Sequence, residues 1–143
     1  MVAARHKARH FAVQALYQWG ISGTSVAELE KQFREDFDLG ASDLDYFRDL
    51  LGGVSRRVEE IDALLLPHLD IAPEKLGAVE RAVLRMATYE LLAREDVPGR
   101  VVLNEAVSLA KKFGAAESHR FVNGVLDKVA RELRGPEMRS AGA

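Results

Sequence analysis

Apolar residues recur at helical rather than alternating spacing along almost the whole chain. Ala8, Phe11, Ala12, Ala15, Leu16 and Trp19 form an i, i+3, i+4 stripe that predicts a first helix, closed by Gly20 and Gly23. Ser25-Val26-Ala27-Glu28 has the form of a capping box, and Val26, Leu29, Phe33 and Phe37 supply the inner face of a second helix. Gly40 breaks the pattern, and the segment from Ser42 to Asp45 can open a third helix. Leu44, Phe47, Leu51, Val54, Val58, Ile61 and Leu65 then keep the period. They predict one long helix from about Asp43 to Leu66, ended by Pro67. Gly52 and Gly53 sit in its middle, where each costs roughly 1 kcal/mol relative to alanine. That cost predicts close approach of another helix.

Asp70 to Lys75 reads as a turn and a short helix, with Pro73 suited to a first helical position. Val79, Ala82, Val83, Met86, Ala87, Glu90 and Leu91 mark the inner face of the most buried helix, Val79 to Arg94. After a turn at Asp96 to Gly99, Ala106, Leu109, Ala110 and Phe113 define the next helix. Gly114 fits its C-terminal cap, and Ser118 the N-cap of a last helix carrying Val122, Val125, Leu126, Val129 and Leu133 inward. Gly135 and Pro136 end that helix, and a disordered tail is expected over 136–143. The one β-like run, Val101 to Leu103, leads straight into a helix. The chain therefore reads as all-α, with about seven helices. They form a single domain of two small packed subdomains, about 1–67 and 68–135, divided at Leu66 to Pro73.

Composition narrows the function more than the fold. The 143 residues are 48% hydrophobic and 29% charged, with no cysteine and a net charge of -2. Thiol catalysis and disulfides are excluded, and a cytoplasmic setting is expected. No apolar run is long enough to span a bilayer. No two of the four histidines form an i, i+4 pair within a carboxylate-bearing helix of metalloprotease type, and there is no phosphate-binding glycine loop, so no catalytic constellation is left. No metal or cofactor is expected. A pI near 6.1 rules out a bulk polyanion binder, so any nucleic-acid contact must use a local basic patch.

Two segments offer one. Arg5, Lys7 and Arg9, with His6 and His10 between them, precede the first acid of the chain, Glu28. Cations at a helix N-terminus oppose the helix dipole by about 0.3–1 kcal/mol each. A phosphate backbone would turn that liability into binding energy, whereas a solvated tail would simply tolerate it. Gln14, Tyr17 and Gln18 lie off the apolar stripe of the same helix. The second segment is the turn between the last two helices. It carries Lys111, Lys112, Glu117, Ser118, His119, Arg120, Phe121 and Asn123, more charge, amide and ring than a turn requires. Phe121 could close the core beside Phe113 or stack on an unpaired base, a contact worth roughly 1–3 kcal/mol.

Five blocks carry a resemblance: AVQALYQW (Ala12–Trp19), YFRDLLGGV (Tyr46–Val54), VERAVLRMATYEL (Val79–Leu91), DVP (Asp96–Pro98) and NEAVSLAKKFGAAESHRFVNGVLDK (Asn104–Lys128). In this order they resemble the NusB family of bacterial transcription antitermination factors over nearly the whole chain. The resemblance implies a non-enzymatic protein that binds the boxA single-stranded RNA of ribosomal RNA leaders. It implies two further partners: NusE, a small-subunit ribosomal protein, and RNA polymerase, reached through other Nus factors. It places RNA contacts at Arg5, Lys7, Arg9 and the group around Glu117, Ser118, Arg120 and Phe121, and the neighbouring His10, Gln14, Lys111, Lys112 and Asn123 complete the expected RNA site. Tyr17 and Glu80 fall on the side implied for the RNA and NusE surfaces, and with Gln18 beside Tyr17 they are the expected protein-partner residues. Some members self-associate, so a homodimer is open. The N-terminal run departs from the arginine-rich family pattern, and Glu117 stands where aspartate is common. Two other readings remain: the NusB-like domain of a ribosomal RNA cytosine methyltransferase, and a pure protein-interaction module.

Overall fold

The computed structural model describes residues 2–142, with side chains described for 5–40 and 43–139. Its elements are α1 (Val2–Ser22), α2 (Val26–Asp36), α3 (Gly40–Arg56), α4 (Val58–Leu65), α5 (Ala78–Ala93), α6 (Gly99–Phe113), α7 (Ser118–Leu133) and α8 (Gly135–Gly142). Two single 3-10 turns, Leu66–His68 and Pro73–Lys75, link α4 to α5. No strand occurs among the described residues, and the all-α expectation holds.

The chain forms one apolar core, and α5 runs through its centre. Nine of the ten residues of α5 from Ala82 to Leu91, all but Arg85, are buried, which leaves this helix almost no solvent face over that stretch. It packs on α1, α3 and α4 and also on α6 and α7. The segment Leu66 to Pro73 holds the first 3-10 turn and the start of the second.

The close approach expected at the paired glycines is real, and it is specific to one of them. A Cβ on Gly53 would overlap the ring of Tyr89 on α5, whereas one on Gly52 would meet the Arg56 side chain. The Tyr89 hydroxyl donates to Asp49 Oδ1 at 2.6 Å, so the ring cannot swing away without losing that bond. Burial, then this hydrogen bond, push the Tyr89 phenol up to about 12.

Four local expectations are corrected. The predicted helix from Asp43 to Leu66 is two helices, because Arg57 leaves the helical region (φ -114°, ψ 20°). α3 also begins at Gly40, and the Ser42 side chain lies outside the described residues. α1 runs through Gly20 to Ser22, and Gly23 at φ 70° ends it. Residues 136–142 are not a disordered tail. Gly135 and Pro136 start α8, whose Met138 side chain is buried in the core; only Ala143 of the expected tail lies outside the described residues. The Ser25 cap behaves as expected, its hydroxyl accepting the Glu28 N–H at 3.2 Å.

Two arginines fasten the helices where apolar packing ends. Arg85 of α5 holds Asp62 of α4 through two hydrogen bonds of 3.0 and 2.8 Å, and its guanidinium lies 5.6 Å from the ring of Trp19 on α1. Arg134, between α7 and α8, donates to the carbonyls of Glu90, Leu91, Arg94 and Val97. It thereby closes the C-terminal end of α5 and the turn after it, where helix carbonyls lack internal partners.

Candidate nucleic-acid interface

The N-terminal half of α1 presents its basic residues to acids of the same chain. Arg9 is the extreme case. It is 3% exposed and grips Glu90 of α5 through Nε (2.8 and 3.1 Å) and Nη2 (2.8 Å). Its Nη1 reaches Glu105 of α6 at 2.9 Å, and Tyr46 of α3 donates to Glu90 at 2.7 Å. One arginine thus ties three helices to its own. Burial works against the Arg9 charge, but the hydrogen bonds and charge of Glu90 outweigh it and raise the guanidinium pKa. Burial and Glu90 likewise push the Tyr46 phenol up. The structure does not favour the expectation that Arg9 meets an RNA phosphate: its side chain is buried and paired with Glu90 and Glu105 inside the protein.

The neighbouring cations are paired more loosely. Arg5 donates to Asp96 at 2.8 Å, His6 lies 2.9 Å from Glu105, and Lys7 is 3.8 Å from Asp43. His10 has no acid. Its ring lies 5.2 Å from that of Phe113 at the end of α6 and 4.9 Å from that of Phe11. Burial, then the charges of Lys112 and His6, hold its pKa below the usual histidine value, so it meets neutral solution as an uncharged ring.

This contact brings the two predicted segments together. Lys111 and Lys112 stand exposed in the last turn of α6, where the helix dipole favours cations. Lys112 also lies 5.7 Å from the ring of its neighbour Phe113. Beside this junction a groove of about 380 Å³ opens between α1 and α2. Gln14, Tyr17 and Gln18 line one wall, Phe37 the other, and Val79 and Phe113 close the end. Tyr17 is exposed at its rim, and Gln14 donates to the carbonyl of His10 at 3.2 Å.

The turn after α6 is built differently from its predicted form. Gly114 does cap α6, but in an extended conformation (φ -91°, ψ 175°). It is glycine because a Cβ would press on the Ala110 carbonyl, Ser118 Cβ and Glu80. The N-cap of α7 is Glu117, not Ser118. Glu117 sits at φ 73°, a left-handed conformation that only glycine and, less readily, asparagine or aspartate adopt without cost. Ser118 is instead the first helical residue, and its hydroxyl donates to Glu80 of α5. Glu80, expected at a partner surface, thus anchors the turn. Arg120 is 75% exposed and pairs with Glu117 at 3.4 Å. Asn123 is exposed one turn further on, while Phe121 is half-buried and packs against the core.

The acids that hold the basic stretch, Asp43, Glu90, Asp96 and Glu105, were not predicted as part of the site. Glu90 carried the available signal, since an acid on the inner face of a buried helix requires a cation. Among the described residues no cluster of histidine and acids could hold a metal, and no helix is long and apolar enough to cross a membrane.

An all-helical protein with a basic first helix laid against the end of α6 belongs to the class of small all-α proteins, and comparison with known proteins makes the class particular. The NusB family matches residues 6–131. The chain is 53% identical over 140 residues to the transcription antitermination protein NusB of Teredinibacter turnerae, covering 97% of this chain and 95% of that one. Its fold superposes with TM-score 0.84 on the crystal structure of the antitermination factors NusB and NusE in complex with dsRNA, at 32% identity, covering 92% of this chain and 99% of that one. NusB of T. maritima gives 0.83 at 32% identity, with 95% and 96% covered. The chain belongs to the NusB family.

Proposed function

We propose that this protein is a cytoplasmic transcription antitermination factor that acts by binding rather than catalysis. It takes boxA RNA of ribosomal RNA leader transcripts together with NusE, and the pair joins the RNA polymerase antitermination complex. The observation that carries this reading is the junction of His10 and Phe113, which joins the basic start of α1 to the lysines of α6 on one surface. The related NusB structure solved with NusE and dsRNA supports the same partners.

On this reading Lys7, Lys111, Lys112 and Arg120 supply phosphate contacts, while His10, Gln14, Ser118 and Asn123 offer ring and hydrogen-bonding groups to the nucleotides. Arg9 positions α1, and Phe121 supports the turn from the core side. Tyr17 and Gln18, on the groove, are the protein-facing pair. Gel shifts with a boxA-like RNA and a scrambled control, single- and double-stranded, with and without NusE at two salt concentrations, test the reading. Selective binding that tightens with NusE is expected. Equal affinity for both sequences under all conditions would refute it.

Glu117 is an acid on a cationic surface, and it occupies Arg120. Glu117→Lys is expected to tighten RNA binding by about three- to tenfold, the scale of one added cation and one released. A fluorescence-anisotropy titration giving unchanged or weaker affinity would contradict the placement of RNA at this turn.

A further inference from the structure

Arg5 and Arg9 lie one helical turn apart and are both bound to carboxylates, yet their surroundings differ. Glu90, which holds Arg9, is 1% exposed and out of reach of any external ion. Arg5 and Asp96 have side chains 30% and 51% exposed, so their contact is open to solvent. Arg5 is also held in place from below, its guanidinium 4.7 Å from the ring of Tyr46.

Asp96 has a second partner. Arg94 donates Nε to Asp96 Oδ1 and Nη2 to Asp96 Oδ2, both at 3.1 Å. Arg94 is itself fixed by Asp49 at 3.2 Å and lies 4.9 Å from the same Tyr46 ring. If Arg5 leaves, Asp96 keeps both oxygens engaged. If Asp96 is relieved of Arg5, the guanidinium stays on Tyr46 with its outer donors free. Carboxylate and phosphate oxygens accept from a guanidinium in the same geometry, so one can replace the other without rebuilding the site.

We propose that Asp96 is an internal stand-in for an RNA phosphate, occupying Arg5 in the free protein and passing wholly to Arg94 when RNA docks. The inference rests on the RNA-binding reading above and adds its regulation. Arg5 is aimed but neutralised, so a weak polyanion meets a competitor at this position, and only RNA that makes the neighbouring contacts displaces it.

The test is a double-mutant cycle with Asp96→Asn and Arg5→Ala, titrating a fluorescein-labelled boxA-like RNA at two salt concentrations. Asp96→Asn is expected to tighten binding about two- to fivefold, the worth of one exposed ion pair. The gain should vanish when Arg5 is alanine. An equal gain in the Arg5→Ala background would mean only that a negative charge was removed, and would overturn the proposal, as would no gain at all. Asp96→Ser controls for loss of the turn, with melting curves for each variant. If both Asp96 variants melted early, the Arg5 Nε–H resonance of the wild-type protein decides. A shift on RNA addition supports exchange, and a stationary resonance in an RNA-bound protein rejects it. Wild-type protein that binds boxA-like and scrambled RNA equally would instead sink the RNA-binding reading itself, and the stand-in with it.

Discussion

Glu90→Gln is expected to lower the unfolding free energy by about 3–5 kcal/mol, the cost of stranding one member of a buried ion pair. The substitution keeps the shape of the side chain and removes its charge. Arg9, at 3% exposure, would then keep Glu105 at 2.9 Å as its one ion-pair partner and meet an amide nitrogen where a carboxylate oxygen stood. In a domain of this size each kcal/mol moves the melting temperature by about 2–5 °C, so a fall of about 10 °C or more should appear in thermal melts followed by circular dichroism. Replacing both partners with apolar residues, Arg9→Met with Glu90→Leu, should recover part of the loss, because no fully buried charge then remains, while Glu105 and the Tyr46 hydroxyl each lose one partner. The result also separates two roles for Arg9. An Arg9→Ala protein that melts normally but binds RNA poorly would show that Arg9 is a ligand contact and not a strut.

The second large effect is expected at Arg134. Its guanidinium serves the carbonyls of Glu90, Leu91, Arg94 and Val97, so Arg134→Ala strips the last turn of α5 and the following loop of their donors together. Hydrogen bonds from a charged donor are worth about 1.5–3 kcal/mol each. They do not add fully, since water can reach some of the carbonyls once the side chain is gone. A net loss of about 2–4 kcal/mol in urea melts is the expected outcome. Arg134→Lys should rescue little, because a single ammonium cannot span four carbonyls in different directions. Amide exchange should quicken first over residues 94–99. Uniform destabilisation with unchanged exchange in that turn would show that Arg134 acts through general packing.

Helix identity was legible because period is a property of the sequence, and seven of the eight helices carry it, with α3 and α4 read as one. Two kinds of feature escaped. One was a change of direction without a breaking residue. Arg57 leaves the helical region with neither proline nor glycine beside it, and beyond it α4 packs on α5. The converse occurs at Gly135-Pro136, read as a terminator, although proline near a helix start is equally a beginning.

At the site, residue type was legible and phase was overlooked. Arg9 is i-3 from Ala12 and i-4 from Val13, which places it on the buried stripe of α1. Counting charge in the basic stretch hid that position, although Glu90 was already placed on the inner face of its helix. The left-handed conformation at Glu117 had no such signal, since glutamate rarely adopts it. It follows from the tight packing of Gly114 and Ser118 around Glu80.

The Trp19 contact also makes the protein its own dosimeter for folding. Trp19 is the chain's one tryptophan, and it sits where α1 meets the Arg85–Asp62 clasp of α5 and α4. Fourteen helical steps of α1 separate it from Arg5, about 21 Å at the rise of an α-helix. Its ultraviolet emission will therefore report the coming apart of three helices while staying nearly silent to ions exchanging at the basic end. Unfolding and ligand capture can be followed in one cuvette, by two colours of light, without adding a label to the protein.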